Sequence, residues 1–155
     1  MACLGHLLME NRHGLIVDAQ VTVADGFAER EAATTMLSAH WRHAPPRHRT
    51  VGADKAYDTA DFVNQVRQVD MTPHVAQNDT RRGGSAINAR TTRHAGYAMS
   101  QHARPRIARA FGWLKTIAGL RKVKLRGTAT VDALFVFATA AFNIKRIVRL
   151  RTRAA

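Results

Sequence analysis

The chain has one cysteine, Cys3, and no glutamate beyond Glu31. A lone cysteine excludes an internal disulfide framework and fits a reducing cytosol. Long apolar runs are missing too. The richest, Ala133 to Phe142, is about half the ~20 residues a bilayer demands, and Asp132 and Lys145 border it. Met1 to Glu10 has no basic n-region and only a short apolar run, so no signal peptide is expected. With no basic amphipathic helix bearing a Trp/Phe face, the expectation is a cytoplasmic chain with no membrane partner. The largest deficit is of acid. The 76 residues after Asp79 hold 17 basic side chains and one carboxylate, Asp132, whereas the first 79 hold seven basic and ten acidic.

Nearly all of the formal charge of +13 therefore sits in the second half. Like charges at this density oppose compaction unless a polyanion neutralises them, so nucleic acid is the expected partner. The same deficit limits chemistry, because a metal-holding nuclease or strand-transfer site needs carboxylates and the second half can offer one. At 155 residues and 46% apolar composition the chain has room for one ordinary domain, 1–155.

Leu4 to Met9 and Leu15 to Val23 are β-rich runs around Asn11-Arg12-His13-Gly14. Leu15, Val17, Ala19, Val21 and Val23 alternate with Ile16, Asp18, Gln20 and Thr22, predicting a hairpin with one buried face. Glu29 to Trp41 reads as a helix opened by Asp25 or Gly26, with Pro45-Pro46 closing that unit. A short strand, Thr50 to Ala53, leads to Asp54. Thr59 caps a helix to about Val69 whose apolar face is Phe62, Val63, Val66 and Val69. Thr72 to Ala76 reads as a strand, Asn78 to Ser100 as a basic loop, Ser100 to Ala118 as one helix containing Pro105, and Val131 to Leu150 as the last helix. The order is that of an α/β fold, and Asp54 stands where a strand ends, where such sheets place ligand groups.

A carboxylate just past a buried strand suits a divalent-metal ligand, although an aspartate there also commonly caps a turn. In Arg104-Pro105-Arg106-Ile107-Ala108-Arg109-Ala110-Phe111-Gly112-Trp113-Leu114-Lys115, helical periodicity puts Arg104 and Lys115 on the face of Ala108, where two cations can grip phosphates. The alternative is a solvated basic face. Arg121-Lys122-Val123-Lys124-Leu125-Arg126 reads as an extended phosphate-contacting segment, joined by Arg81, Arg82, Arg90 and Arg93 as backbone contacts. Trp113 is a candidate for stacking on bases. His40 and His43 read as cations near a helix end, and Asp58 as a loop residue.

Five segments in order resemble the C-terminal part of bacterial insertion-sequence transposases of the DDE superfamily: residues 6–15, Ala53 to Thr59, Thr72 to Asn78, Arg90 to His94, and Ala110 to Lys115. The resemblance covers essentially the whole chain. It implies a ribonuclease-H-like mixed sheet with flanking helices, lacking the first, central strand. It also implies Mg²⁺-dependent cleavage and strand transfer at transposon-end DNA, with Mn²⁺ as substitute. Asp54 matches the second acid of the triad, a metal ligand. Arg104 and Lys115 match the arginine and lysine of a tyrosine–arginine–glutamate–lysine signature, but its glutamate falls on Ala108 and its tyrosine on Gln101. With the first acid upstream of the segments present here, one acid of three remains. The resemblance thus implies a chain inactive by itself, with an upstream transposase fragment or an intact transposase as partner. The rival readings are a non-catalytic DNA-binding remnant that inhibits an intact relative, and a basic RNA-binding protein.

Overall fold

The computed structural model describes residues 2–41 and 49–154. Among them lie four strands, β1 (Cys3–Met9), β2 (Ile16–Val23), β3 (Arg49–Ala53) and β4 (Met71–Val75). Six helices accompany them: α1 (Ala28–Trp41), α2 (Ala60–Gln68), α3 (Ala89–Thr92), α4 (Ala95–Ala103), α5 (Pro105–Thr116) and α6 (Thr128–Ala154). The strands form two two-stranded sheets, β1–β2 antiparallel and β3–β4 parallel. Small sheets with flanking helices make a mixed α/β fold, consistent with the ribonuclease-H-like class. No helix among the described residues is long and apolar enough to cross a membrane. The chain divides into two compact units, Met1–Met36 with Arg106–Ala155, and Leu37–Pro105.

In the first unit the hairpin turn is built by Glu10. Its carboxylate accepts the N–H groups of Arg12 at 2.7 Å, His13 at 2.7 Å and Leu15 at 3.0 Å. Partial burial pushes the Glu10 carboxyl up, but these donors outweigh it and leave the pKa below its ordinary value. The strand alternation departs from expectation. Leu8 lies opposite Asp18 but Met9 opposite Ile16, so Val17 is inserted as a bulge. One extra residue reverses the period-2 pattern. Ile16 is therefore buried and Val17 exposed, while Ala19 and Val21 still reach the core.

That core is Leu7, Ile16, Ala110, Leu114, Phe135 and Ala138, so α5 and α6 cover one face of the hairpin. α6 also covers the outer edge of β2 with side chains. Asn143 accepts from Ile16 N at 2.9 Å and donates to Ile16 O at 2.7 Å, and Asp132 Oδ1 accepts from Val21 N at 2.7 Å. These bonds satisfy backbone groups that an edge strand otherwise exposes. A Cβ at Gly5 would meet the Phe135 ring at 2.7 Å. Gly5→Ala is accordingly expected to overpack this face and cost about 1–3 kcal/mol, read as a lower urea midpoint at unchanged slope.

The second unit is a β3–α2–β4 motif. Thr59 Oγ1 accepts from Phe62 N at 3.2 Å to start α2, which buries Phe62, Val63 and Val66. Val51, Val75 and Ile87 are buried in the same unit. His40 ends α1 as expected, while His43 and Pro45-Pro46 lie outside the described residues. Two expectations fail beyond β4. The stretch 78–100 is not one loop, because Asn88 Oδ1 accepts from Arg90 N and opens α3, and α4 begins at Ala95. The helix expected from Ser100 to Ala118 is two, α4 and α5, meeting at Arg104. Pro105 has no N–H to continue α4, and its fixed φ suits the first position of α5. α5 stops where Gly119 takes φ 71, letting Leu120 N return to Leu114 O at 3.0 Å.

Candidate functional site

Asp54 follows β3 directly, at the carboxyl end of a parallel pair, and its side chain is exposed. Oδ1 accepts from Ala56 N at 2.8 Å, capping a short 3₁₀ turn, Lys55–Tyr57. Asp54 therefore does cap a turn, while Oδ2 has no hydrogen bond among the described residues. The strand end behind it is fixed on the next side. Ala76 N donates to Ala53 O at 2.9 Å, and α4 is stitched to β4 by Gln101 Nε2 on His74 O at 2.6 Å and by His74 Nδ1 with Ser100 Oγ at 2.7 Å. Burial pulls the His74 pKa below its ordinary value, opposed by a backbone bond at Gly96 and assisted by nearby His94. Gln101 thus spends its amide on the sheet.

Asp58 is no ordinary loop residue. It is buried; Oδ2 accepts from Asn78 N at 2.7 Å and Oδ1 from Ala86 N at 2.9 Å. The Asp58 carbonyl accepts from Arg81 Nη1 at 2.6 Å. One carboxylate therefore ties down both ends of the segment that follows β4. Sequence spacing points to no such role, because the partners are 20 and 28 residues away.

The ten cations expected to contact DNA split between the units. In the second, Arg82, Arg90 and Arg93 are exposed, Arg81 is exposed while donating to Asp58, and Arg104 is half-buried at the α4–α5 joint. In the first, Lys115 projects from the last turn of α5, and Arg121, Lys122, Lys124 and Arg126 are exposed on the irregular segment between α5 and α6. That segment pairs with no strand among the described residues. Arg104 lies outside α5, so the single helix face expected to join it to Lys115 is interrupted at Pro105. Ala108 is exposed on α5.

Two other arginines are occupied by the fold. Arg106 donates to the carbonyls of Asn11 and Arg12, and Arg146 Nε to His13 O at 2.6 Å, so both clasp the hairpin turn. Trp113 is likewise committed. It packs on the core, edge-on to Phe142 at 5.6 Å between centroids, with Lys145 Nζ 5.5 Å from its ring centre. Of the two readings of Trp113, the ring contacts are those of a core side chain. Asp132 Oδ1 accepts from Val21 N. Among the described residues no three His, Cys, Asp or Glu side chains converge.

A family model described as a transposase DDE domain matches residues 3–144. No curated protein and no solved structure matches the chain.

Proposed function

Since the chain belongs to the transposase DDE-domain family, whose members act in DNA transposition, we propose that it is the C-terminal portion of a bacterial insertion-sequence transposase, which binds transposon-end DNA and does not cut it unaided. The observation that carries this reading is the charge asymmetry, displayed on the surface. Arg82, Arg90, Arg93, Arg121, Lys122, Lys124 and Arg126 are exposed, and the only acid after Asp79 is bonded to a strand edge. Arg81, Arg104 and Lys115 complete the expected DNA-contacting set.

Catalysis in the family draws on divalent metal, Mg²⁺ in this reading, with Mn²⁺ as substitute. The donor set present does not fit a two-metal centre. Such a centre holds ions about 3.5–4 Å apart between carboxylates. Asp54 supplies one carboxylate with one uncommitted oxygen, Ala108 supplies none, and no third ligand converges among the described residues. By the resemblance, Asp54 stands as the second acid of a triad whose first member lies on an upstream strand and whose glutamate position is Ala108. No cleavage step is assigned to this chain.

The DNA reading is tested by titrating the protein against transposon-end duplex from about 50 to 300 mM salt. About six phosphate contacts predict a log–log slope near −5, hence roughly a 10⁴-fold loss of affinity over that range. Failure to bind at the lowest salt, or a flat salt dependence, overturns it.

A further inference from the structure

Strand β1, helices α5 and α6 and the segment between those helices surround a half-open cavity of about 870 Å³. Its whole lining belongs to the first unit. The volume lies within the roughly 300–1,000 Å³ of small-molecule sites. Phe111 and Leu114 of α5, Phe135 of α6 and Leu4 of β1 give it apolar walls. The remaining wall is the stretch 121–126. There Val123 and Leu125 line the cavity, while Lys122, Lys124 and Arg126 do not. An extended strap alternates in this way, one set of side chains facing in and the other facing solvent. Gly119 at φ 71 and Gly127 at φ 87 bound the strap, each in a conformation that glycine takes at little cost. The strap pairs with no strand among the described residues, and Leu125 is left 46% exposed. Apolar walls left open to solvent inside a cavity suit an apolar ligand body.

Charge defines the rest of the ligand. Lys115 and Arg121 are exposed members of the lining, and neither side chain has a hydrogen bond or ion pair among the described residues. Glu29 is the one acid of the lining, so two cations against one acid leave a formal charge of +1. A polyphosphate would match the cations but leave the apolar walls bare. A neutral oil would cover the walls but leave both cations unmatched. One acid head on an apolar body satisfies both. We infer that the cavity is a binding site for an amphipathic monocarboxylate, its chain against Phe111, Leu114 and Val123 and its head on Lys115 and Arg121. The inference is independent of the DNA reading.

Cys3 supplies the readout, since it is the only thiol in the chain and lines the cavity. The full chain is alkylated with neutral iodoacetamide while sodium dodecanoate, below its micelle-forming range, is titrated from about 5 µM to 2 mM. Alkylation should slow several-fold and saturably, with half-saturation at about 100 µM for a ligand of this size. Gly112→Trp tests the space. Gly112 lines the cavity, and a Cβ there meets nothing within 4 Å, so an indole can enter without displacing α5. The variant should melt no lower than the parent, because glycine is a poor helix former, and dodecanoate should no longer change its alkylation rate. Lys115→Ala and Arg121→Ala should each raise the half-saturation point about three- to fivefold. Arg149→Ala, an equal loss of charge on the exposed surface of α6, should leave it unchanged. Dodecyltrimethylammonium, with the same chain and the opposite charge, should protect only at far higher concentration. Absence of saturable protection by dodecanoate overturns the inference, as does protection that Gly112→Trp retains. So does equal protection by the cationic amphiphile, or protection that grows with protein concentration alone, which would mean that a protein segment is the occupant.

Discussion

Asp58→Ala is expected to destabilise the unit spanning Leu37–Pro105 by about 4 kcal/mol, more than any exposed acid there. The carboxylate is 1% exposed and is the acceptor for Asn78 N and Ala86 N. Alanine leaves both donors buried and unpaired, each costing about 1–3 kcal/mol, and opens a gap that water fills imperfectly. Asp58→Asn keeps one acceptor oxygen but turns an N–H donor toward the other amide, so roughly half the loss should remain. Hydrogen exchange at Asn78 and Ala86 gives a local readout, since these amides should lose protection before those of β1 and β2. Asp79→Ala, also acidic but exposed, is the control. If Asp58→Ala and Asp79→Ala melt within about 1 kcal/mol of each other, the buried carboxylate does not organise this segment.

Asp58 also marks the limit of what residue patterns reveal. Where structure follows local chemistry, the sequence is legible: Thr59 capping α2, Asp25 accepting from Phe27 and Ala28 at the start of α1, and Phe62, Val63 and Val66 on one buried face. Where a side chain serves distant backbone, no periodicity betrays it. Asn143 on Ile16 spans 127 residues and Asp132 on Val21 spans 111. The bulge at Val17 escapes for a related reason, because an alternating pattern reads the same until one residue is inserted against a partner strand. The basic stretch before Ser100 hides α3 and α4 since its glycines and polarity resemble a loop, although Asn88 offers a cap.

The candidate site divides along the same line. Asp54 is legible as a residue at the carboxyl end of a strand, since a short apolar run followed by acid is a local signal. The use of the cations is not. Arg106, Arg146 and Arg81 look like any other basic residue in sequence, yet each donates to a carbonyl of the fold. The charge available to a polyanion is correspondingly smaller than the composition suggests. It includes Arg121, Lys122, Lys124 and Arg126, on a segment that no strand pairing constrains among the described residues, exposed arginines in and around α3, and exposed basic residues of α5 and α6.

The largest functional effect is expected from restoring acids. The chain as it stands should neither nick nor join transposon-end DNA in Mg²⁺ or Mn²⁺, because one carboxylate at Asp54 cannot anchor two ions that hold their hydration tightly. Ala108→Glu alone should change nothing, since it raises the count only to two. Ala108 is exposed on α5, so a glutamate there should leave the melt unchanged and a null result would not be one of misfolding. Fusing an upstream strand that carries the first aspartate, together with Ala108→Glu, should produce cleavage. Asp54→Ala in that fusion should then abolish it by about three orders of magnitude or more, as loss of one member of a cooperating catalytic set does. Arg104 and Lys115 should behave differently from the acids. If they position phosphates at the site, replacing either lowers the cleavage rate more than the DNA affinity, whereas replacing Lys122 and Lys124 lowers affinity and its salt slope together. Cleavage by the unmodified chain that persists in Asp54→Ala would mean that the acid positions are misassigned. A fusion that binds DNA and stays inert with all three acids in place would mean that position 108 is not the place of the glutamate.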